Sequence, residues 1–378
     1  MAEPAYAAGV SPSPAAPVDV EDVRRRIDAV LAEHIAGQRP LLARLGADSA
    51  VLADAVEQML SGGKRLRAAF CYWSWRAHGG QADSPDASAV LRVGAALELF
   101  QAAALFHDDV MDDSDTRRGH AAAHRTFAAL HERSGWTGDS QRFGEAAAIL
   151  LGDLALVASD AEFNSALTAF PADVAGVARQ VFDLMRTEVT VGQYLDVRAQ
   201  TLPWGVDYVA DEERAREVIR AKSARYSVEH PLVLGAALAG ADAVARHACA
   251  AFGLPLGEAF QLRDDLLGVF GNPDATGKPA GDDIREGKRT VLVARAMAAG
   301  GETQRTVLRS LLGVRDLADD DVAVVTDAIV GTGAPAEVEG LIADLSARAF
   351  TALAASTLDE PGAAMLALLG HAAIDRRA

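Results

Sequence analysis

The stretch Asp108-Asp109-Val110-Met111-Asp112-Asp113-Ser114-Asp115-Thr116-Arg117-Arg118 gathers five carboxylates within eight residues, directly ahead of an arginine pair. On a helix Asp108 and Asp112 lie four apart and share a face, with Asp109 beside them. Like charges at that spacing repel and weaken a helix unless a cation neutralises them. A divalent metal carrying an anionic ligand supplies that cation, and the arginines supply donors for the ligand's other oxygens. Magnesium suits the set: it prefers oxygen, keeps several waters and binds through one or two carboxylates plus phosphate. The plainer reading is a solvated acidic cap, but the residues just before, Leu97 to Phe106, are apolar nearly all round and read as buried helix. His107 adjoins the cluster, and because magnesium seldom uses imidazole it reads as a packing or hydrogen-bonding group.

A second acidic helix end follows later. Asp264-Asp265 succeed the apolar run Ala251 to Leu262. Basic residues come next, in Thr276-Gly277-Lys278-Pro279 and Gly281-Asp282-Asp283-Ile284-Arg285-Glu286-Gly287-Lys288. Two acidic helix ends, each trailed by cations, suggest two walls of one metal-filled pocket. Gly62-Gly63-Lys64-Arg65-Leu66-Arg67 adds glycines ahead of a helix start, which lets backbone amides and basic side chains approach an anion. Alone, that piece is an ordinary basic helix start. The chain uses arginine almost throughout and keeps lysine only at Lys64, Lys222, Lys278 and Lys288, each inside one of these pieces or in Lys222-Ser223-Ala224-Arg225-Tyr226. A lysine is a compact point charge and does not replace the arginine fork. Gly192-Gln193-Tyr194-Leu195-Asp196 reads as ordinary helix unless the rest of the pocket gives it context.

The elements needed to position these groups are helices. Apolar residues recur at helical spacing in Val23, Ile27, Val30, Leu31 and Ile35, and helices are expected over 51–60, 67–77, 87–106, 143–157, 173–195 and 211–226. No alternating strand pattern and no βαβ rhythm is visible. Residues 1–18, rich in Ala, Pro and Ser, read as a disordered leader, and 19–378 as one all-α domain built from many long helices. A formal charge of −17 argues against a nucleic-acid or anionic-membrane partner. Two distant cysteines, Cys71 and Cys249, fit a reducing cytoplasm. No signal peptide or membrane anchor is expected.

With these pieces in order, the chain resembles the trans-isoprenyl diphosphate synthases (polyprenyl synthases), which lengthen allylic diphosphates with isopentenyl diphosphate. The similarity runs from about Gly62 to Thr290 and is most like a geranylgeranyl diphosphate synthase. The resemblance implies the isoprenoid synthase fold, three magnesium ions per active site and a homodimer. It implies that Asp108, Asp112 and Asp264 are the principal metal ligands, with Asp109 and Asp265 as nearby acceptors. Asp108, Asp109, Asp112, Asp264 and Lys222 would form the catalytic set. Lys64, Arg67, Gln101 and Arg118 would hold isopentenyl diphosphate. Arg117, Lys222, Ser223, Gln261, Lys278 and Lys288 would surround the allylic diphosphate. Gln101 and Ser223 replace a commoner histidine and threonine and keep hydrogen-bonding ability. Gly268 stands where a third aspartate is common, and Asn272 replaces another, so the third metal is expected to bind more weakly.

In such enzymes the growing chain runs along the helix leading into Asp108. Ala103 and Ala104 are small, leaving the cavity open beyond a farnesyl chain. The expected product is geranylgeranyl diphosphate, with longer polyprenyl or farnesyl diphosphate as alternatives. A terpene cyclase would not need the second diphosphate pocket offered by Lys64, Arg67 and Arg118, and a non-catalytic synthase subunit would not need both aspartate pairs.

Overall fold

The computed structural model describes residues 20–203, 205–271 and 281–375. The expected leader at 1–18 and the positions of Asn272 and Lys278 lie outside the described residues. What is described is helical almost throughout, as the periodicity predicts.

The centre of the bundle is α4 (Pro85–Met111), the helix that ends in the first aspartate cluster. It starts with a proline in its first turn, where the missing amide hydrogen costs nothing. Its residues from Ala87 to Phe100 are buried apart from Ser88 and Arg92, so it carries almost no solvent face over most of its length. By length and composition it could cross a membrane; 78% of its most apolar window is instead buried inside the protein. Around it pack α1 (Val23–Leu45), α2 (Ala50–Leu60) and α3 (Leu66–Ala77) on one side, and α5 (Ala123–Arg133) and α6 (Ser140–Leu167) on another. Gly94 permits the α3 approach: a Cβ there would meet Ala68 Cβ at 3.0 Å and Ile27 Cδ1 at 2.7 Å.

The opposite half contains α7 (Ala172–Thr201), α8 (Tyr208–Val218), the segment Ile219–Glu229, α9 (His230–Leu238) and α10 (Ala243–Phe270), which ends in the second aspartate pair. After the undescribed stretch come α11 (Asp282–Glu286) and α12 (Val291–Ala299), then further helices that back α10 and α12.

Two local features differ from the sequence expectation. The single helix expected over 211–226 is divided: residues 219–229 form a wide helix, and the amide of His230 bonds to the Arg225 carbonyl five residues back. Glycines make room for its girth. A Cβ at Gly192 of α7 would lie 2.4 Å from the Lys222 amide nitrogen, and one at Gly257 of α10 would lie 2.4 Å from the Ala224 carbonyl oxygen. A short β-hairpin also appears where no strand is expected, with Thr116–Arg117 antiparallel to His120–Ala121. Its two-residue turn is Arg118 (φ 55°) and Gly119 (φ 78°), both left-handed, which matches the twist of a tight hairpin. Two-residue strands are too short for an alternating pattern to register. The turn sends Arg117 and Arg118 to different places.

Candidate active site

Asp108 lies at the top of α4, where two other elements reach it. Its Oδ1 accepts hydrogen bonds from Lys222 Nζ of the wide helix and Gln193 Nε2 of α7, both at 2.9 Å. Lys222 Nζ also donates to Asp196 Oδ2 at 2.5 Å. Burial works against the Asp108 carboxylate, yet Lys222, Lys288 and Arg117 hold its pKa well below the usual range. Burial equally opposes the Lys222 ammonium, and Asp108 and Asp196 overcome it, raising its pKa. Asp109 is 1% exposed and accepts from Arg117 Nε at 2.8 Å. It fixes the arginine, whose Nη2 stands 3.7 Å from Asp108 Oδ2.

The second wall is tied to the first by Lys288. Its Nζ lies 2.7 Å from Glu286 Oε2, 3.3 Å from Asp283 Oδ1 and 3.5 Å from Asp112 Oδ2. Ser114 Oγ donates to Glu286 Oε1 at 3.0 Å, and the Arg315 guanidinium holds the Asp112 backbone carbonyl. Ser223 Oγ donates to Gln261 Oε1, while Gln261 Nε2 donates to Asp265 Oδ1 at 2.8 Å. Burial first, with Asp108 second, pushes Asp112 up to about 6. Burial, then the charges of Asp283 and Asp264, push Asp265 up to about 7 despite the Gln261 hydrogen bond. Asp264 sits beside it, half-buried.

A separate basic cluster forms where α2 meets α3. Arg118 Nη1 donates to the Met59 and Ser61 carbonyls at 2.7 and 2.9 Å, drawing the hairpin onto the loop of Lys64. A Cβ at Gly63 would lie 2.6 Å from Arg65 Nη1 and 3.4 Å from Arg118 Nη1, so glycine leaves room for both guanidinium groups beside this backbone. Arg65 in turn bonds to Asp28 Oδ1 at 2.7 Å and faces the buried Glu98 carboxylate at 3.5 Å. Lys64 is exposed and Arg67 half-buried at the start of α3. Gln101 is half-buried on α4, seven residues before Asp108 and so on the same face. Ala103 is 2% exposed, and Ala104 is half-buried.

The donor set fits magnesium. Asp112 Oδ2 is buried and accepts no hydrogen bond among the described residues. Among the described residues no three His, Cys, Asp or Glu side chains stand close enough to hold a metal by themselves. A hard cation that takes one or two carboxylates and completes its shell with water and phosphate needs no such cage.

Thus Asp108, Asp112, Arg117, Lys222 and Lys288 form one charged cluster, Ser223, Gln261 and Asp265 form a hydrogen-bonded chain whose Asp265 feels the Lys288 charge, with Asp264 next to it, and Arg118 joins the loop of Lys64. Sequence reasoning did not single out Gln193, Asp196, Asp283, Glu286 or Arg315 for their roles. Gln193, Asp196, Asp283 and Glu286 lie within 192–196 and 281–288, but nothing in the residue types says what they touch. Arg315 carried no signal at all.

The family model for polyprenyl synthetase matches residues 49–329. The chain belongs to that family. It is 32% identical over 268 residues to a short chain isoprenyl diphosphate synthase of Methanothermobacter thermautotrophicus, covering 70% of this chain and 73% of that protein. It is 29% identical over 269 residues to a geranylgeranyl diphosphate synthase of Sulfolobus acidocaldarius, covering 71% and 73%. Among solved structures, the geranylgeranyl pyrophosphate synthase of Corynebacterium glutamicum, complexed with isoprenyl diphosphate and magnesium, superposes with a TM-score of 0.89 at 36% identity, covering 95% of this chain and all of that one. The fold is the isoprenoid synthase fold, and the chain is a trans-prenyltransferase.

Proposed function

We propose that this enzyme condenses isopentenyl diphosphate with an allylic diphosphate to make geranylgeranyl diphosphate, with magnesium held by Asp108, Asp112 and Asp264. The observation that carries the reading is the separation of two cationic clusters. Lys222, Lys288 and Arg117 are ion-paired to Asp108, Asp112 and Asp109, whereas Arg118 is drawn onto the backbone at Met59 and Ser61, just ahead of Lys64, with Arg65 and Arg67 as cationic neighbours. The first cluster suits a diphosphate that leaves with metal; the second suits one that is only held. A cyclase uses one prenyl diphosphate and has no need of the second.

Magnesium when bound would neutralise charge on the departing diphosphate. The chain's own residues do the rest. Lys222 and Lys288 now neutralise the aspartates, and they become donors to diphosphate oxygens once those carboxylates face metal. Because these cations are positioned before reaction, they stabilise developing negative charge without reorganisation. Asp109 keeps Arg117 aimed at the same place. The apolar wall of α4 below Asp108, including the small Ala103 and Ala104, shields the allylic cation from water. Isopentenyl diphosphate attacks through its double bond, and the released diphosphate accepts the proton.

The small side chains at Ala103 and Ala104 support a product longer than farnesyl. The exposed apolar stripe of α6, with Phe143, Leu150 and Val157 seven residues apart, and Leu184 and Val191 on α7 support a homodimer covering these faces. Assaying one allylic diphosphate with and without isopentenyl diphosphate tests the reading. Lengthening that requires isopentenyl diphosphate supports it, and turnover without it supports a cyclase.

A further inference from the structure

Arg67 is positioned by the wide helix of the opposite half. Its guanidinium carbon lies 4.1 Å from the centre of the Tyr226 ring, and its Nη2 donates to Ser227 Oγ at 2.8 Å. Both supports are buried, Tyr226 at 5% and Ser227 at 4% exposure. The Tyr226 ring is itself fixed edge-on against Phe100 of α4, with centroids 5.6 Å apart and planes at 75°. Its hydroxyl is buried and has no hydrogen-bond partner among the described residues, so Tyr226 contributes here through its ring. A guanidinium over an aromatic ring is held by its charge and keeps N–H donors for other partners. Ser227 takes one donor, and Arg67 Nε is buried with no acceptor among the described residues.

The same short segment carries Lys222 and Ser223, four residues earlier, at the metal-side cluster. We propose that Tyr226 and Ser227 are positioning residues for Arg67, so that the wide helix orders the isopentenyl half-site as well as the allylic one. This rests on the reading of Arg67 as a diphosphate ligand. A long arginine side chain held before the ligand arrives loses less conformational freedom on binding, which appears as tighter binding of that ligand alone.

Steady-state kinetics on the purified full-length enzyme, varying each substrate separately with magnesium present, test the proposal. Tyr226→Leu and Ser227→Ala are each expected to raise KM for isopentenyl diphosphate by about fivefold or more, with allylic KM and kcat changed by less than about twofold. Tyr226→Phe keeps the ring and should restore the wild-type KM. A folded Tyr226→Leu enzyme with unchanged isopentenyl KM, or with both KM values raised equally, overturns the proposal. If Tyr226→Leu does not fold, Ser227→Ala decides by the same criterion. Arg67→Gln separates the two levels. If it leaves isopentenyl KM unchanged, the diphosphate reading of Arg67 falls; if it raises that KM while Tyr226→Leu and Ser227→Ala do not, only the positioning role falls.

Discussion

The carboxylate of Asp283 occupies the space that a side chain at Gly268 would need: a Cβ built on Gly268 would lie 2.0 Å from Asp283 Oδ2. The position where a third aspartate is common in the second motif is therefore filled with a carboxylate from α11 instead of α10. Lys288 holds Asp283 there from the other side, 3.3 Å from Oδ1. Gly268→Asp should accordingly harm the enzyme, because it forces two carboxylates into one space. We expect a lower melting temperature and at least a tenfold loss of activity. Combining Gly268→Asp with Asp283→Gly should recover much of both. Thermal unfolding and turnover of the single and double variants check this, and a single variant as stable and active as wild type would contradict it.

A pH dependence follows from Asp112 and Asp265. Burial pushes their pKa values up to about 6 and about 7 in the fold, against roughly 4 for an unfolded carboxyl. Between about pH 4 and 7 the native state holds protons that the unfolded state has released, so these groups make stability fall as pH rises. Asp108 has the opposite sign, since its pKa is depressed, but its window lies below about pH 4 and does not overlap. Metal needs the deprotonated carboxylates, so its stabilising effect should grow across the same interval. Melting curves with and without magnesium plus inorganic diphosphate should differ more at pH 8 than at pH 5.5. An equal difference at both would remove these carboxylates from the metal site.

Product length should respond to Ala103. It is buried on α4, five residues before Asp108, and a phenyl group there would add bulk to the α4 wall proposed to line the growing chain. Each isoprene unit buries five carbons, on the order of 3–4 kcal/mol of apolar contact in a dry pocket. Ala103→Phe is expected to shift the product toward farnesyl diphosphate with turnover retained, read by chromatography of dephosphorylated products. Unchanged length would place the floor elsewhere.

Much of this arrangement was legible in the sequence, for a physical reason. Buried apolar runs ending abruptly in paired aspartates, at 97–108 and 251–265, are local patterns that survive without knowledge of the fold. The four lysines were legible because arginine fills almost every other basic position. Less visible was anything that depends on two elements meeting. Asp196 shares Lys222 with Asp108 only because Gly192 lets the wide helix lie against α7. Asp283 reaches Gly268 only because α11 folds back on α10. The hairpin at Arg117 and Arg118 turns on a left-handed arginine, which propensity would not select. Arg315 holds the Asp112 carbonyl from about two hundred residues away, and its surroundings in sequence carry no chemical pattern.

The most direct test of the central claim is the product made by the purified enzyme from labelled isopentenyl diphosphate, an allylic diphosphate and magnesium. The account predicts label in geranylgeranyl diphosphate, formed only when both diphosphates are present and lost with Asp108→Ala. Turnover of the allylic substrate to an unlabelled hydrocarbon, with no label incorporated, would contradict it.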